Sequence, residues 1–141
     1  MIKNPSKLLE NYSTEEQMVG TWIDGKPLYR IICVGVATGS LVTMADLSSI
    51  PIDIMVKAEG CIVTGNTALP SGYATGTTST YGEKFINIWV GDSVLKCYSP
   101  GYTSGTIFAF VYYTKTTDTA IIAIPSTMEM TASYDEGVND A

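Results

Sequence analysis

The hydrophobic positions of this chain fall in short runs rich in β-branched and aromatic residues, separated by Gly, Pro, Asp, Ser and Thr. The clearest alternation covers residues 52–59. It puts Ile52, Ile54, Val56 and Ala58 on one face and Asp53, Met55, Lys57 and Glu59 on the other. Period two of this kind predicts a half-buried strand. Residues 84–90 and 106–114 differ. Phe85, Ile86, Ile88, Trp89 and Val90 populate both faces of the first, and the run from Ile107 to Tyr113 does the same in the second. A strand apolar on both sides is either central to a sandwich or covered by another chain. Further strands are expected at 19–23, 26–34, 61–64 and 94–98.

The punctuation between these runs predicts the connections. Asp24 and Gly25 lie between two runs of strand character, the strongest short-range hairpin signal, and both residues tolerate the positive φ of a type I′ turn. Pro27 cannot donate to a ladder, so it belongs at a strand start or on an edge. Gly91 and Asp92 join Trp89 and Val90 to Val94 and Leu95; with Gly first, a type II′ turn is expected. Ser13 and Glu16 have the spacing of a capping box, but Gly20 follows at once, so a short turn is expected rather than a full helix. Residues 69–82 and 99–105 are dominated by Gly, Ser, Thr and Pro and read as loops.

Six or seven short strands with turn signals between them predict an all-β fold, an antiparallel β-sandwich of jelly-roll-like type. It would occupy residues 19–124, after an N-terminal segment at 1–18. Residues 125–141 are polar and acidic without β periodicity, and are expected to be flexible unless a partner orders them.

Composition narrows the functional classes. The chain has 141 residues, the size of one domain, and only 16% of them are charged, against about 25% in soluble domains generally. Thr, Ser, Gly and Tyr take their place, which suits a β protein and packing inside an assembly. Of the net charge of −6, four units come from Glu129, Asp135, Glu136 and Asp140 in a tail without Lys or Arg. With no basic face to neutralise phosphates, nucleic-acid partners are not expected, nor is charge-driven attachment to anionic membranes. No apolar run approaches the length of a membrane span, and residues 1–10 lack the apolar centre of a signal peptide. Cys33, Cys61 and Cys97 are widely spaced and odd in number, so they are expected as free thiols acting as small hydrophobes, made in a reducing compartment.

There is no histidine, which removes Ser-His-Asp and Cys-His nucleophilic sites and nearly all zinc sites. Phosphate-binding glycine loops and EF-hand spacing are absent as well. Ser93 and Lys96 match only the serine half of a β-lactamase-type pattern, inside an alternating strand. A glycosidase would need a carboxylate pair. Among Asp24, Asp46, Asp53, Glu59, Glu83, Asp92 and Asp118, turn chemistry accounts for Asp24 and Asp92 and a solvent face for Asp53 and Glu59; nothing selects a pair. No catalytic residue, metal or cofactor is expected. Trp22, Tyr29, Phe85, Trp89, Phe108, Phe110, Tyr112 and Tyr113 fall in strands and read as core. Tyr73, Tyr81 and Tyr102 fall in Gly/Ser/Thr loops, the composition of adaptable recognition surfaces, and are the candidate ligand- or receptor-binding residues.

The segment Tyr12-Ser13-Thr14-Glu15-Glu16-Gln17-Met18-Val19-Gly20-Thr21-Trp22-Ile23-Asp24-Gly25-Lys26-Pro27-Leu28-Tyr29-Arg30 resembles an entry motif of tail-fibre and related structural proteins of bacteriophages and prophages. Ala109-Phe110-Val111-Tyr112-Tyr113-Thr114-Lys115-Thr116-Thr117-Asp118 is similar to the closing strand of the same domains. Between these ends only the general pattern is similar, with short strands followed by a loop that opens with Leu69 and Pro70. Trp22, Asp24, Gly25 and Tyr29 are the structural core of the motif, with Trp22 and Tyr29 placed to pack across the hairpin. The resemblance implies a β-sandwich in a tail or head fibre of the virion, made in the bacterial cytoplasm and assembling as a homo-oligomer, a trimer above all. Its implied partners are other virion proteins and a glycan or protein on the host surface. It carries over no catalytic residue, because the motif contains none. A cellular carbohydrate-binding module of the same fold is the main alternative, and a polysaccharide hydrolase the next.

Overall fold

The strand Thr106–Lys115 organises the molecule, because it lies at the centre of the larger of two sheets. In the computed structural model, which describes residues 11–75 and 84–121, ten strands form: β1 (Gln17–Thr21), β2 (Pro27–Val36), β3 (Leu41–Asp46), β4 (Ile52–Thr64), β5 (Thr67–Pro70), β6 (Ala74–Thr75), β7 (Lys84–Phe85), β8 (Asn87–Gly91), β9 (Val94–Tyr98) and β10 (Thr106–Lys115). The order β1-β2-β10-β4-β5 makes a five-stranded sheet and β3-β9-β8 a three-stranded one, with β6 and β7 as a small accessory pair. Every pairing is antiparallel. The two main sheets pack as a β-sandwich, and the described residues contain no helix.

Alternation along β10 divides its side chains between two environments. Ile107, Ala109, Val111 and Tyr113 are fully buried and meet Ile88, Leu95 and Cys97 of the smaller sheet, with Ala37, Leu47, Ile62 and Ile86 completing the core. Gly60 of β4 lies tightly against the neighbouring strand β10 and faces Ile88 of the smaller sheet. A Cβ there would lie 2.2 Å from the carbonyl oxygen of Phe108 and 2.9 Å from Cδ1 of Ile88. Thr106, Phe108, Phe110 and Tyr112 point to the opposite, outer face and are only half-buried.

Several expectations are corrected in detail. Residues 52–64 form one strand rather than two separated at Gly60. Its alternation breaks, because the ladder to β10 skips a residue between Lys57 and Met55 and again before Ile52. Such bulges swap the face that following residues present. Ile52, Met55 and Ala58 therefore pack on the core, while Ile54 and Val56 do not, and Met55 leaves the solvent face expected for it. The stretch assigned to a loop from Leu69 contains the end of β5, and β6 follows it. The strand β3 has no counterpart among the expected ones; Thr43 and Asp46 dilute its apolar character.

Both hairpin turns differ in type from expectation. Gly25 has φ +87°, and Asp24 is not in the left-handed region. Gly25 N–H donates to Trp22 O, Trp22 N–H donates to Lys26 O, and Asp24 Oδ1 accepts from Lys26 N–H. This is a three-residue loop closed by a left-handed glycine rather than a type I′ turn. The second hairpin is type I′ rather than II′, because Asp92 and Ser93 are its central residues, at φ 51° and 64°, while Gly91 pairs with Val94. At the N-terminal side, Ser13 Oγ accepts from Glu15 N–H in a turn, and β1 begins two residues later. The acidic segment 125–141 and residues 1–10 lie outside the described residues.

Candidate interaction surface

The outer face of the five-stranded sheet is built by the register of its three long strands. Val36, Val34, Ile32 and Arg30 of β2 stand beside Thr106, Phe108, Phe110 and Tyr112 of β10. Val63, Cys61, Glu59 and Lys57 of β4 flank β10 on its other side. Aromatic and branched side chains thus fill one end of the face, and charge is confined to the other. Val34 is 50% exposed and Val36 66% exposed, an unusual degree for valines side by side with a phenylalanine in a central sheet position. The reading of Phe108, Phe110 and Tyr112 as core is corrected here: they face away from the space between the sheets. Cys61 shares this face as a half-buried free thiol, whereas Cys97 is buried and Cys33 packs against the core. Burial raises the thiol pKa of Cys33 and of Cys97.

A short stretch of chain crosses this face. Tyr12 stands edge-on to Phe110, with ring centroids 6.2 Å apart, and the Arg30 guanidinium lies 4.5 Å from the centre of the Tyr12 ring. Arg30 is 2% exposed. Its Nη2 donates to Gln17 Oε1 at 3.1 Å and to Asn11 O at 3.2 Å. An arginine in the middle of an apolar strand is thereby accommodated by stacking and by carbonyl partners. Beside Tyr12 lies an open depression of about 520 Å³, bordered by Arg30, Glu59, Cys61, Phe110 and Tyr112. A smaller one of about 220 Å³ lies between Tyr12 and the Ile32, Val34 and Phe108 side chains. Lys57 rests 4.7 Å from the centre of the Tyr112 ring and 3.6 Å from Glu59 Oε1.

Of the loop tyrosines, Tyr73 and Tyr102 come together, with ring centroids 6.4 Å apart and planes inclined at 57°. Tyr73 is 37% exposed, while Tyr102 packs partly on the core. Two clamps hold the pair: Gly72 N–H donates to Ile86 O and Ile86 N–H to Tyr73 O, and Tyr102 N–H donates to Ser99 O. Tyr81 lies outside the described residues.

The hairpin motif serves a different end of the sandwich. Tyr29 is opposite Met18, not Trp22, and stacks on Tyr113 at 6.0 Å. The indole N–H of Trp22 is buried without a hydrogen-bond partner among the described residues. Around the stacked pair, Tyr29 Oη donates to Asp118, Tyr113 Oη donates to Glu16, and Lys115 Nζ bonds Glu16 while lying 4.4 Å from the centre of the Tyr29 ring. Tyr29's pKa rises, chiefly through the Asp118 hydrogen bond. Lys26 is buried and reaches Asp53 Oδ2 at 2.7 Å and Lys115 O at 3.1 Å.

These contacts also account for most of the acidic residues considered for hydrolysis. Asp24 closes the hairpin turn, Asp92 sits in the second turn, and Asp53, Glu59 and Asp118 have the partners just given. Asp46 accepts from Ser48 N–H, and hydrogen bonding to Ser48 holds its carboxyl below the usual carboxylate range. Glu83 lies outside the described residues. Among the described residues, no three Cys, Asp or Glu side chains are grouped to hold a metal ion.

Sequence reasoning missed Tyr12 and Arg30 as a pair, and the signal for them was the one cation inside the apolar run of β2. It also missed Glu16, whose partners lie 97 and 99 residues away in sequence. Compared with known proteins, the chain matches no family model, no curated protein and no solved structure.

Proposed function

We propose that this chain is a non-catalytic structural or adhesion component of a bacteriophage virion, acting through self-association and through contacts with other virion proteins or a host receptor. The observation that carries this reading is the outer face of the five-stranded sheet, where Val34, Val36, Phe108 and Phe110 stand open or half-open to water. Contiguous apolar surface of that kind marks contact with another macromolecule. The sequence resemblance of residues 12–30 and 109–118 to phage fibre domains supplies the setting, and a trimer is the assembly it implies. Size-exclusion chromatography with light scattering tests the reading: a mass of three chains is expected, and a strict monomer at micromolar concentration defeats it.

The paired Tyr73 and Tyr102 favour a second reading, a carbohydrate-binding module. An exposed ring braced by a second ring and by backbone hydrogen bonds is suited to stack on a sugar. Binding to a glycan array that disappears in Tyr73→Ala supports it, while an array without any bound glycan removes it.

A further inference from the structure

We infer that residues 11–15 form a hinged strap that opens and closes over the Arg30 and Ile32 end of the outer sheet face while the sandwich stays folded. The hinge is at Glu16, and the latch is Tyr12 on Arg30. The inference goes beyond the proposed function, because it concerns the chain by itself and requires no partner.

Exposure along β2 marks what the strap covers. Arg30, Ile32, Val34 and Val36 stand on the same face. The first two are 2% and 6% exposed, whereas both valines are half or more exposed. Ile32 and Val34 have matching neighbours within the sheet. Each stands beside a phenylalanine of β10, Phe110 for one and Phe108 for the other, and the pairing with β1 has already ended at Arg30. What separates them is Tyr12, which lies over Arg30 and Phe110.

The two ends of the strap are held differently. Glu16 Oε2 accepts from Tyr113 Oη and Oε1 from Lys115 Nζ, and Gln17 opens the ladder to β2. At the other end Asn11 O accepts from Gln17 Nε2 and Arg30 Nη2, and the Tyr12 ring makes the contacts just described. Among the described residues, no backbone N–H or C=O of residues 11–15 bonds to the backbone of a strand. Asn11, Tyr12, Thr14 and Glu15 are exposed. The depression of about 220 Å³ between Tyr12 and the sheet leaves the strap's underside poorly filled, and unfilled space forfeits dispersion contacts on its walls.

Lifting the strap therefore breaks no ladder. The Arg30 guanidinium exchanges the Asn11 carbonyl and the Tyr12 ring for water, and Ile32 and Phe110 become accessible. A segment with few buried contacts and side-chain tethers opens locally, at a free energy far below that of global unfolding. Opening joins Ile32 and Phe110 to the already open Val34, Val36 and Phe108. The strap thus sets how much apolar surface the face offers.

Alkylation of Ile32→Cys in the full chain, read site by site with mass spectrometry under native conditions, tests this. Cys97 is fully buried in the core and serves as the internal reference for unfolding of the whole domain. The introduced thiol is expected to label at least about a hundredfold faster than Cys97. Adding Tyr12→Ala is expected to accelerate it about tenfold more, the combined worth of an edge-on aromatic contact and a cation–π contact. Labelling no faster than Cys97 overturns the inference, because the strap then lifts only with the whole domain. A rate that Tyr12→Ala leaves unchanged overturns it as well, because the strap is then not the cover. If fast labelling of Cys97 reveals that Ile32→Cys unfolds the chain, NMR of the unsubstituted protein decides. Exchange broadening of the Ile32 methyl signals that is absent from Ile107 is expected, and equally sharp signals overturn the inference. The mass of the chain in solution bears on self-association alone: a monomer with an opening strap removes only that reading, and an oligomer with a strap that never lifts removes only this inference.

Discussion

The hydroxyl of Tyr113, at the heart of the larger sheet, donates to Glu16 Oε2 across 2.5 Å, tying the approach to the first edge strand to the central one. Burial, then the Glu16 hydrogen bond, pushes the Tyr113 pKa well above its ordinary value. Tyr29 beside it is shifted in the same direction by Asp118. In the unfolded chain both phenols titrate near pH 10, so there the unfolded state loses its protons first. The stability these groups contribute is complete below about pH 10 and is lost as pH rises toward their folded values. Tyr113→Phe is expected to cost about 2 kcal/mol at neutral pH, the scale of a hydrogen bond to a charged group, and to make the alkaline decline shallower. Urea unfolding at neutral pH and above pH 10 measures both; an equally steep decline in the variant refutes the assignment.

Lys26 and Asp53 are unequal partners. The Lys26 side chain is 11% exposed and the Asp53 side chain 34% exposed. Removing the carboxylate leaves an ammonium out of water with only the Lys115 carbonyl beside it, whereas removing the ammonium leaves a carboxylate that water can reach. Asp53→Ala is therefore expected to destabilise by about 3 kcal/mol and Lys26→Met by clearly less. Thermal or chemical unfolding of the two variants decides the order, and equal losses contradict it.

How much of this architecture was legible follows from the range of the forces involved. Strand character in β2, β8, β9 and β10 is carried by local runs of β-branched and aromatic residues, and Pro27 stands at a strand start as its missing N–H requires. The face that each residue presents was less accessible. Two ladder irregularities in β4 move Met55 inward and Val56 out of the core, and a bulge is settled by the partner strand, not by the bulged one. The turn at Asp24 and Gly25 was legible as a turn but not in its type, because the additional closing bond joins Trp22 to Lys26. Among the candidate binding residues, the meeting of Tyr73 with Tyr102 joins loops 29 residues apart in sequence, and no pattern along the chain encodes that distance. The outer face was half legible: apolar residues on both sides of β10 marked a strand covered twice, and only the fold shows which side is left open.

The hairpin between β8 and β9 offers a test of turn chemistry. Ser93 holds φ 64° on an exposed loop. The left-handed region costs a residue with a Cβ about 1–2 kcal/mol, and the type I′ turn favours Asp followed by Gly. Ser93→Gly recreates that pair at 92 and 93 without touching the core. A gain of about 0.5–1 kcal/mol is expected, less than the full relief because glycine also frees the unfolded chain. A loss of stability in chemical denaturation contradicts the turn assignment.

Two glycines in the five-stranded sheet separate backbone spacing from backbone freedom. Neither Gly20 nor Gly60 has a positive φ, so neither needs glycine for its dihedral angles. A Cβ at Gly20 meets nothing within 4 Å, while one at Gly60 meets the Phe108 carbonyl, Ile88 Cδ1 and Ala109 Cα, all within 3.0 Å. Backbone atoms of β10 cannot yield without disturbing the ladder to β4, so the added methyl must force these two neighbouring strands apart. Gly60→Ala is expected to cost about 3 kcal/mol or more and to loosen the packing of Ile88. Gly20→Ala is expected to be neutral or to stabilise by up to about 1 kcal/mol, through the reduced freedom of the unfolded chain. Equilibrium unfolding of the pair reads the difference directly, and similar effects at the two sites would contradict the close approach of β10 to Gly60.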